Sequence, residues 1–259
     1  MIKISASILS ADFSRLGEEV KKLNKSSVDM IHFDIMDGYF VPNLTFGPVV
    51  IKALRPLTKL FFDTHLMVRW PDKIVDDCIK SGSQLITIHA ESDTNLKKIL
   101  SHIKSKNVLA GISINPETNI EKIKPYLKFV DLILIMTVHP GFSGQKFKKE
   151  VLKKISRAKE LANKVNKNIK IQVDGGINEI TAFDAIKAGA DILVSASYIF
   201  GSKDYKKAVM RLKSGASNSN KPRSKTEEKF LIKLDIERWR RYQEEGKLKI
   251  LSPRKFRFS

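Results

Sequence analysis

The sequence holds a single cysteine, Cys78, in 259 residues, which excludes an internal disulfide and fits a reducing compartment. Its setting, KIVDDCIKSG, reads as a helix, and a buried structural thiol is the simplest role for it. No apolar run approaches the roughly 18 residues that suggest a membrane span. The N-terminus, MIKISASILSADF, lacks the ordered charged, apolar and small-residue regions of a signal peptide and passes directly into strand-like alternation. The cytoplasm is therefore the expected location. No glycine-rich fingerprint follows the first strand, where SILSADF stands instead, and this argues against an open dinucleotide-binding sheet. Acidic residues are also scarce: 28 Asp and Glu face 47 Lys and Arg, for a net charge of +19. Such a charge raises nucleic acid or another anion as a partner.

What is present is a strict alternation of short β-rich runs with amphipathic helical stretches. Strands are predicted over Lys3–Ile8, Met30–Ile35, Leu60–Leu66, Gln84–His89, Leu109–Ile114, Leu132–Met136, Ile169–Val173 and Asp191–Ser195. Helices are predicted over Ser14–Leu23, Val49–Leu54, Pro71–Ser81, Asn95–Lys104, Ile120–Tyr126, Lys149–Val165 and Ile180–Ala188. Ser14 and Asp72 stand where helix N-caps belong, and Gly82 and Gly189 where helices stop. Eight such strand–helix units imply an α/β fold, a parallel (β/α)8 barrel over residues 1–213.

After Lys213 the composition changes. Residues 214–225 read as a linker, small, polar and proline-containing. Residues 226–259 read as a basic, partly helical extension, and the stretch from 214 onward holds 13 Lys and Arg against 6 Asp and Glu. A capping box at Ser224 and Glu227, a stripe of Ile232, Ile236 and Trp239, and a stop at Gly246 predict one helix there. A solvated helix laying its apolar stripe on the barrel or a neighbouring subunit is favoured over a nucleic-acid-binding element using Trp239, Arg240, Arg241 and Tyr242.

The ionisable residues cluster by strand position. His32 and Asp34 are two apart on the second strand and share its inward side. His65 stands at the end of the third strand and Asp174 just past the end of the seventh. In a barrel the C-terminal strand ends form the active face. Each residue alone is readily structural, but two imidazoles and two carboxylates at one mouth are a mixed N/O donor set suited to one divalent zinc, iron, manganese or cobalt ion. Strands two and seven lie nearly across the ring, so Asp34 and Asp174 face a substrate from two sides. That is what an epimerisation next to a carbonyl requires: one carboxylate removes a proton, the other returns one on the opposite face, and the metal steadies the ene-diolate.

Three adjacent strand–helix loops look fit to grip a phosphate through backbone N–H groups: HPGFSGQ (His139–Gln145), DGG (Asp174–Gly176) and SAS (Ser195–Ser197). No lysine in them points to the phosphate. His89, at the end of the fourth strand, is equally a second-layer support for the ligands or a structural residue, while His102 lies on a helix surface.

These residues resemble a family. SILSADF, HFDIMDGYFVPNLTFGP, DTHLMV, MTVHPGFSGQKF, VDGGI and VSASYIF are similar, in order and spacing, to ribulose-phosphate 3-epimerases from about Ile2 to Leu212. The resemblance implies reversible conversion of D-ribulose 5-phosphate, a phosphorylated ketopentose, to D-xylulose 5-phosphate, with Asp34 and Asp174 as acid–base pair. It implies a metal held by His32, Asp34, His65 and Asp174. It implies substrate contacts from Ser7, His65, Gly141, Phe142, Ser143, Gly144, Asp174, Gly175, Gly176, Ala196 and Ser197. Met36, Met67 and Met136 match methionines that cap the reacting carbons, and a homo-oligomer is implied. Three departures stand out: Ala196 where glycine is usual, His139 where Asn or Glu is frequent, and the tail. A hexulose 6-phosphate such as allulose 6-phosphate is the alternative substrate. A decarboxylase reading needs a D-x-K-x-x-D lysine, which neither DIMDGY nor DTHLMV supplies.

Overall fold

The computed structural model describes residues 2–166, 168–218, 248–252 and 255–258. The chain divides into one compact unit up to residue 219 and a second from residue 220.

In the first unit eight parallel strands close into a barrel in sequential order. They are β1 (Lys3–Ser7), β2 (Met30–Met36), β3 (Phe61–Met67), β4 (Leu85–His89), β5 (Leu109–Ile114), β6 (Leu132–Met136), β7 (Lys170–Asp174) and β8 (Ile192–Ser195). The helices are α1 (Leu16–Leu23), α2 (Pro48–Leu54), α3 (Val75–Lys80), α4 (Leu96–Ser105), α5 (Leu152–Val165), α6 (Glu179–Lys187), α7 (Ser197–Phe200) and α8 (Tyr205–Asn218). The predicted strands and helices are thus present, with ends moved by a residue or two except where proline or capping intervenes.

Strand parity sorts the core into two. On β2 the outward residues Ile31, Phe33 and Ile35 join the large apolar layer between sheet and helices, together with Ile4, Ala6, Phe62 and Leu66. Full burial of side chains such as Phe33 and Phe62 contributes about 1.5–3 kcal/mol each. Inside the barrel a smaller apolar cluster of Met30, Leu85, Leu132, Leu134, Met136 and Ile192 fills part of the lumen. Other inward positions of β1, β2, β3 and β7 carry buried polar side chains, among them Ser5, His32, Asp63 and Gln172.

Local chemistry explains where prediction and structure differ. The first cap is Asp12, not Ser14: its carboxylate accepts from the Ser14 backbone N–H at 3.0 Å, and a 3-10 turn over Phe13–Arg15 precedes α1. Asp72 caps nothing either; it lies inside a 3-10 turn, Pro71–Lys73, ahead of α3. The helix expected over Ile120–Tyr126 is a 3-10 segment reaching Phe129, with Pro125, which has no N–H to give, inside it. The cap of α6 is Asn178, whose side chain accepts from the N–H groups of Ile180 and Thr181. Helix α8 runs to Asn218, several residues into the stretch read as linker.

In the second unit β9 (Leu248–Ser252) and β10 (Lys255–Phe258) pair antiparallel. The helix expected between Ser224 and Gly246 lies outside the described residues.

Candidate active site

At the C-terminal end of the barrel the inward residues of β2, β3 and β7 converge. His32, Asp34, His65 and Asp174 each bring one ligand atom into a group whose members all lie within 4.8 Å of one another. The His32 Nε2 is 3.2 Å from Asp34 Oδ1 and 3.9 Å from Asp174 Oδ2. The His65 Nδ1 is 3.3 Å and 3.9 Å from the same two oxygens. The two histidines therefore present opposite ring nitrogens to one point.

Below this cluster lies a layer that sequence reasoning missed. Asp63 sits directly across from His32 in the β2–β3 register. Its Oδ2 lies 2.7 Å from His32 Nδ1, and accepts from Ser5 Oγ at 3.0 Å and Gln172 Nε2 at 2.5 Å. A carboxylate only accepts, so His32 carries its proton on Nδ1. The opposite nitrogen, Nε2, is buried with no hydrogen-bond partner. An orphaned buried nitrogen aimed at two carboxylates and a second imidazole suits a divalent cation. A carboxylate behind a ligating histidine is the usual second layer of such a centre.

Ser7 donates to Asp34 Oδ2 at 2.5 Å, leaving Asp34 Oδ1 turned toward the histidines. His65 meets His89 on its far side, Nε2 to Nε2 at 2.8 Å, and His89 Nδ1 lies 3.3 Å from Glu91 Oε2. His89 is thus against a cluster member rather than isolated in the core. His102 pairs with Asp76 at 2.6 Å on the helix surface.

Proton affinities diverge within the cluster. Burial raises Asp34, but the charge of the adjoining His32, helped by the contact with His65, wins and holds it well below the usual carboxylate range. Asp174 is pushed up to about 7 by burial first and the Asp34 charge second. Burial disfavours a charged His32, yet Asp63 and Asp34 outweigh it and hold the imidazolium well above its ordinary pKa. His65 is pushed down to about 4, chiefly by burial, despite its bond to Asp34. Glu91 is held down to about 2: burial opposes this, and the hydrogen bond from His89 overcomes it.

A cavity opens above the cluster. Ser7, Asp34 and Asp174 line it with Met36, Met67 and Met136, and so do Gly141, Phe142, Ser143, Gly144, Gly175, Gly176, Ala196 and Ser197. The three methionines are 1–2% exposed. His65 is fully buried beneath it and does not line it.

Two glycines in the β7 loop are demanded by shape. Gly175 has φ +117° with Val138 Cγ2 2.5 Å from where a Cβ would stand, and Gly176 has φ +63° with the Phe147 backbone N at 2.5 Å. Ala196, at φ −107°, needs no glycine. Asn43 Nδ2 donates to the Gly141 carbonyl at 2.7 Å, tying the β2 loop to the β6 loop. His139 stays at the rim, its Nε2 3.1 Å from Glu117 and 2.7 Å from Lys148 Nζ. Cys78 is buried far from this chemistry in α3, its thiol pushed up to about 12 by burial.

Comparison with known proteins follows the same lines. The model of the ribulose-phosphate 3 epimerase family matches residues 3–200. A ribulose-phosphate 3-epimerase of Bacillus subtilis is 45% identical over 214 residues, 82% of this chain and 99% of that protein. One from Methanocaldococcus jannaschii is 45% identical over 216 residues, 83% of this chain and 92% of its own. Among solved structures, 3-keto-L-gulonate-6-phosphate decarboxylase from Vibrio cholerae superposes with a TM-score of 0.62 at 12% identity, covering 84% of this chain and 98% of that one. At that identity the likeness concerns the barrel alone.

Proposed function

The chain belongs to the ribulose-phosphate 3-epimerase family, and on that premise we propose that Asp34 and Asp174 are the acid–base pair that inverts C3 of D-ribulose 5-phosphate to give D-xylulose 5-phosphate, and back. It is an isomerase of the sugar-phosphate epimerase class. The observation that carries the residue assignment is the meeting of the two carboxylates at one mouth: Asp34 from β2 and Asp174 from the end of β7 both line the cavity above the cluster. Carboxylates reaching one cavity from strands three places apart around the ring can serve C3 from two sides, as a two-base epimerisation needs.

In the forward direction one carboxylate takes the C3 proton, and the electron pair moves onto the neighbouring carbonyl oxygen. The other carboxylic acid returns a proton to C3 from the opposite face. The roles exchange in the reverse direction. The Ser7 hydroxyl steadies Asp34 by donating to Oδ2. The thioethers of Met36, Met67 and Met136 wall the cavity with polarisable groups that have no proton to lose, and they exclude water from the carbanion. A single divalent ion, zinc, iron, manganese or cobalt, held by His32, Asp34, His65 and Asp174 would supply positive charge for the ene-diolate. Backbone groups of Gly141–Gly144, Gly175, Gly176, Ala196 and Ser197 are proposed to hold the phosphate.

A homo-oligomer and a cytoplasmic location belong to the same reading. Tyr39, Leu44 and Val49 are 73%, 75% and 74% exposed, apolar side chains of the kind a subunit contact covers. Among the described residues no helix is long and apolar enough to cross a membrane. The division into barrel, linker (214–225) and basic extension (226–259) is kept as a proposal, with the barrel's last helix reaching Asn218.

The test is turnover of ribulose 5-phosphate by the purified chain, stripped of metal and reloaded, beside Asp34→Asn and Asp174→Asn. Metal-dependent formation of xylulose 5-phosphate, abolished by either substitution, is expected. Turnover of allulose 6-phosphate in its place would move the assignment to the hexulose, and activity retained by either variant would remove that aspartate from the pair.

A further inference from the structure

The two histidines of the cluster are backed in different ways. His32 donates directly to a carboxylate, Asp63. His65 reaches no carboxylate on its far side: its Nε2 meets the Nε2 of His89 at 2.8 Å, and both rings are fully buried. Two imidazole nitrogens at that distance cannot both carry protons or both present lone pairs; one donates and one accepts. Each end of the pair faces a carboxylate at 3.3 Å: Asp34 Oδ1 at His65 Nδ1, and Glu91 Oε2 at His89 Nδ1. A cation on the Asp34 side would need the His65 Nδ1 lone pair, which requires the His65 proton to stand on Nε2. His89 can accept that proton's hydrogen bond only if its own proton is on Nδ1, where the Glu91 carboxylate accepts it. His65 Nδ1 is the nitrogen turned to Asp34 and Asp174.

We propose that His89 and Glu91 are a positioning pair that stabilises the His65 tautomer with its proton on Nε2, the one whose Nδ1 is free for a cation. This inference rests on the metal-site reading above and extends it by one layer. Packing holds the relay in place. His89 lies nearly coplanar with His65, edge to edge, with centroids 4.9 Å apart and a 22° interplanar angle, and Phe40 packs against His89 at 4.7 Å. Glu91 is anchored in turn, because its Oε1 accepts from the Asn115 backbone N–H at 3.0 Å. The loop carrying Asn115 is gripped by Lys154, whose ammonium donates to the carbonyls of Asn115, Pro116 and Thr118 at 2.9, 2.5 and 2.7 Å. The end of β5 and the helix α5 thereby help determine which nitrogen a histidine on β3 presents.

The pair is tested by zinc affinity, measured on the metal-stripped full chain by competition with a chromophoric chelator. His89→Leu removes the acceptor and is expected to weaken zinc binding about tenfold to a hundredfold, with circular dichroism unchanged. His89→Gln, whose amide oxygen can accept from His65 Nε2, is expected to recover most of the loss. Nitrogen-15 spectra of the histidine rings in the zinc-loaded wild type need no variant to fold: the His89 proton is expected on Nδ1. A proton on His89 Nε2, or zinc affinity within a factor of two of wild type in folded His89→Leu, would overturn the relay while leaving the metal site standing. Failure of the wild type itself to bind zinc would overturn both.

Discussion

Asp63 and His32 face each other across neighbouring strands, 2.7 Å apart and both wholly buried, and the carboxylate gathers a serine and a glutamine from β1 and β7 as well. Asp63→Ala strands three buried donors, and breaking such a buried pair costs about 3–5 kcal/mol. The expected outcome is a large fall in the urea midpoint, with weakened zinc binding in whatever remains folded. Stability within about 0.5 kcal/mol of wild type would contradict the role given to Asp63.

The proton held by Asp174 makes metal binding depend on pH. Its pKa is raised from 3.8 to about 7, so between those values the folded chain binds a proton that the unfolded chain has released. Without metal, this group's contribution to stability falls as pH rises through that window. A cation taking the carboxylate must displace the proton, and His32, raised well above its ordinary value, supplies a second. Exchanging two protons for one divalent ion leaves the charge of the cluster unchanged. Zinc affinity is expected to climb from pH 5.5 to 8, and calorimetry in buffers of different ionisation enthalpy should show proton release; a flat profile would refute this.

Gly176→Ala places a Cβ 2.5 Å from the Phe147 backbone nitrogen at a φ of +63°. The left-handed conformation alone costs about 1–2 kcal/mol for a residue with a side chain, and backbone cannot move aside as a flexible side chain can. The β6 and β7 loops are expected to part, raising KM for the phosphorylated substrate more than kcat falls. An unchanged KM would mean that this loop does not grip the phosphate.

Much of this site was visible as strand parity. His32 and Asp34 drew attention because they sit two apart on one strand, and the same count applied to β3 would have selected Asp63 beside His65. On β1 and β7 it would have selected Ser5 beside Ser7 and Gln172 beside Asp174. Those residues escaped notice because a buried polar side chain away from the mouth has no motif, only a face. Strands such as β6, LILIM, were readable as short apolar runs, as buried parallel strands should be. Other features depend on closure of the ring and leave no mark in local sequence: the contact of His89 with His65, and the tie from Asn43 to Gly141. Caps moved for short-range reasons: the Asp12 carboxylate takes both the backbone N–H and the hydroxyl of Ser14, so a 3-10 turn starts there and the Ser14 hydroxyl is occupied.

The claim that two carboxylates act from opposite faces is tested most directly by epimerisation in deuterium oxide, stopped at low conversion. A monoprotic acid donating from the second face delivers a solvent hydron, so the first xylulose 5-phosphate formed is expected to carry deuterium at C3 while recovered ribulose 5-phosphate lags behind. Product that instead retains the original C3 proton would show a single group carrying it across, and would contradict the pairing of Asp34 with Asp174.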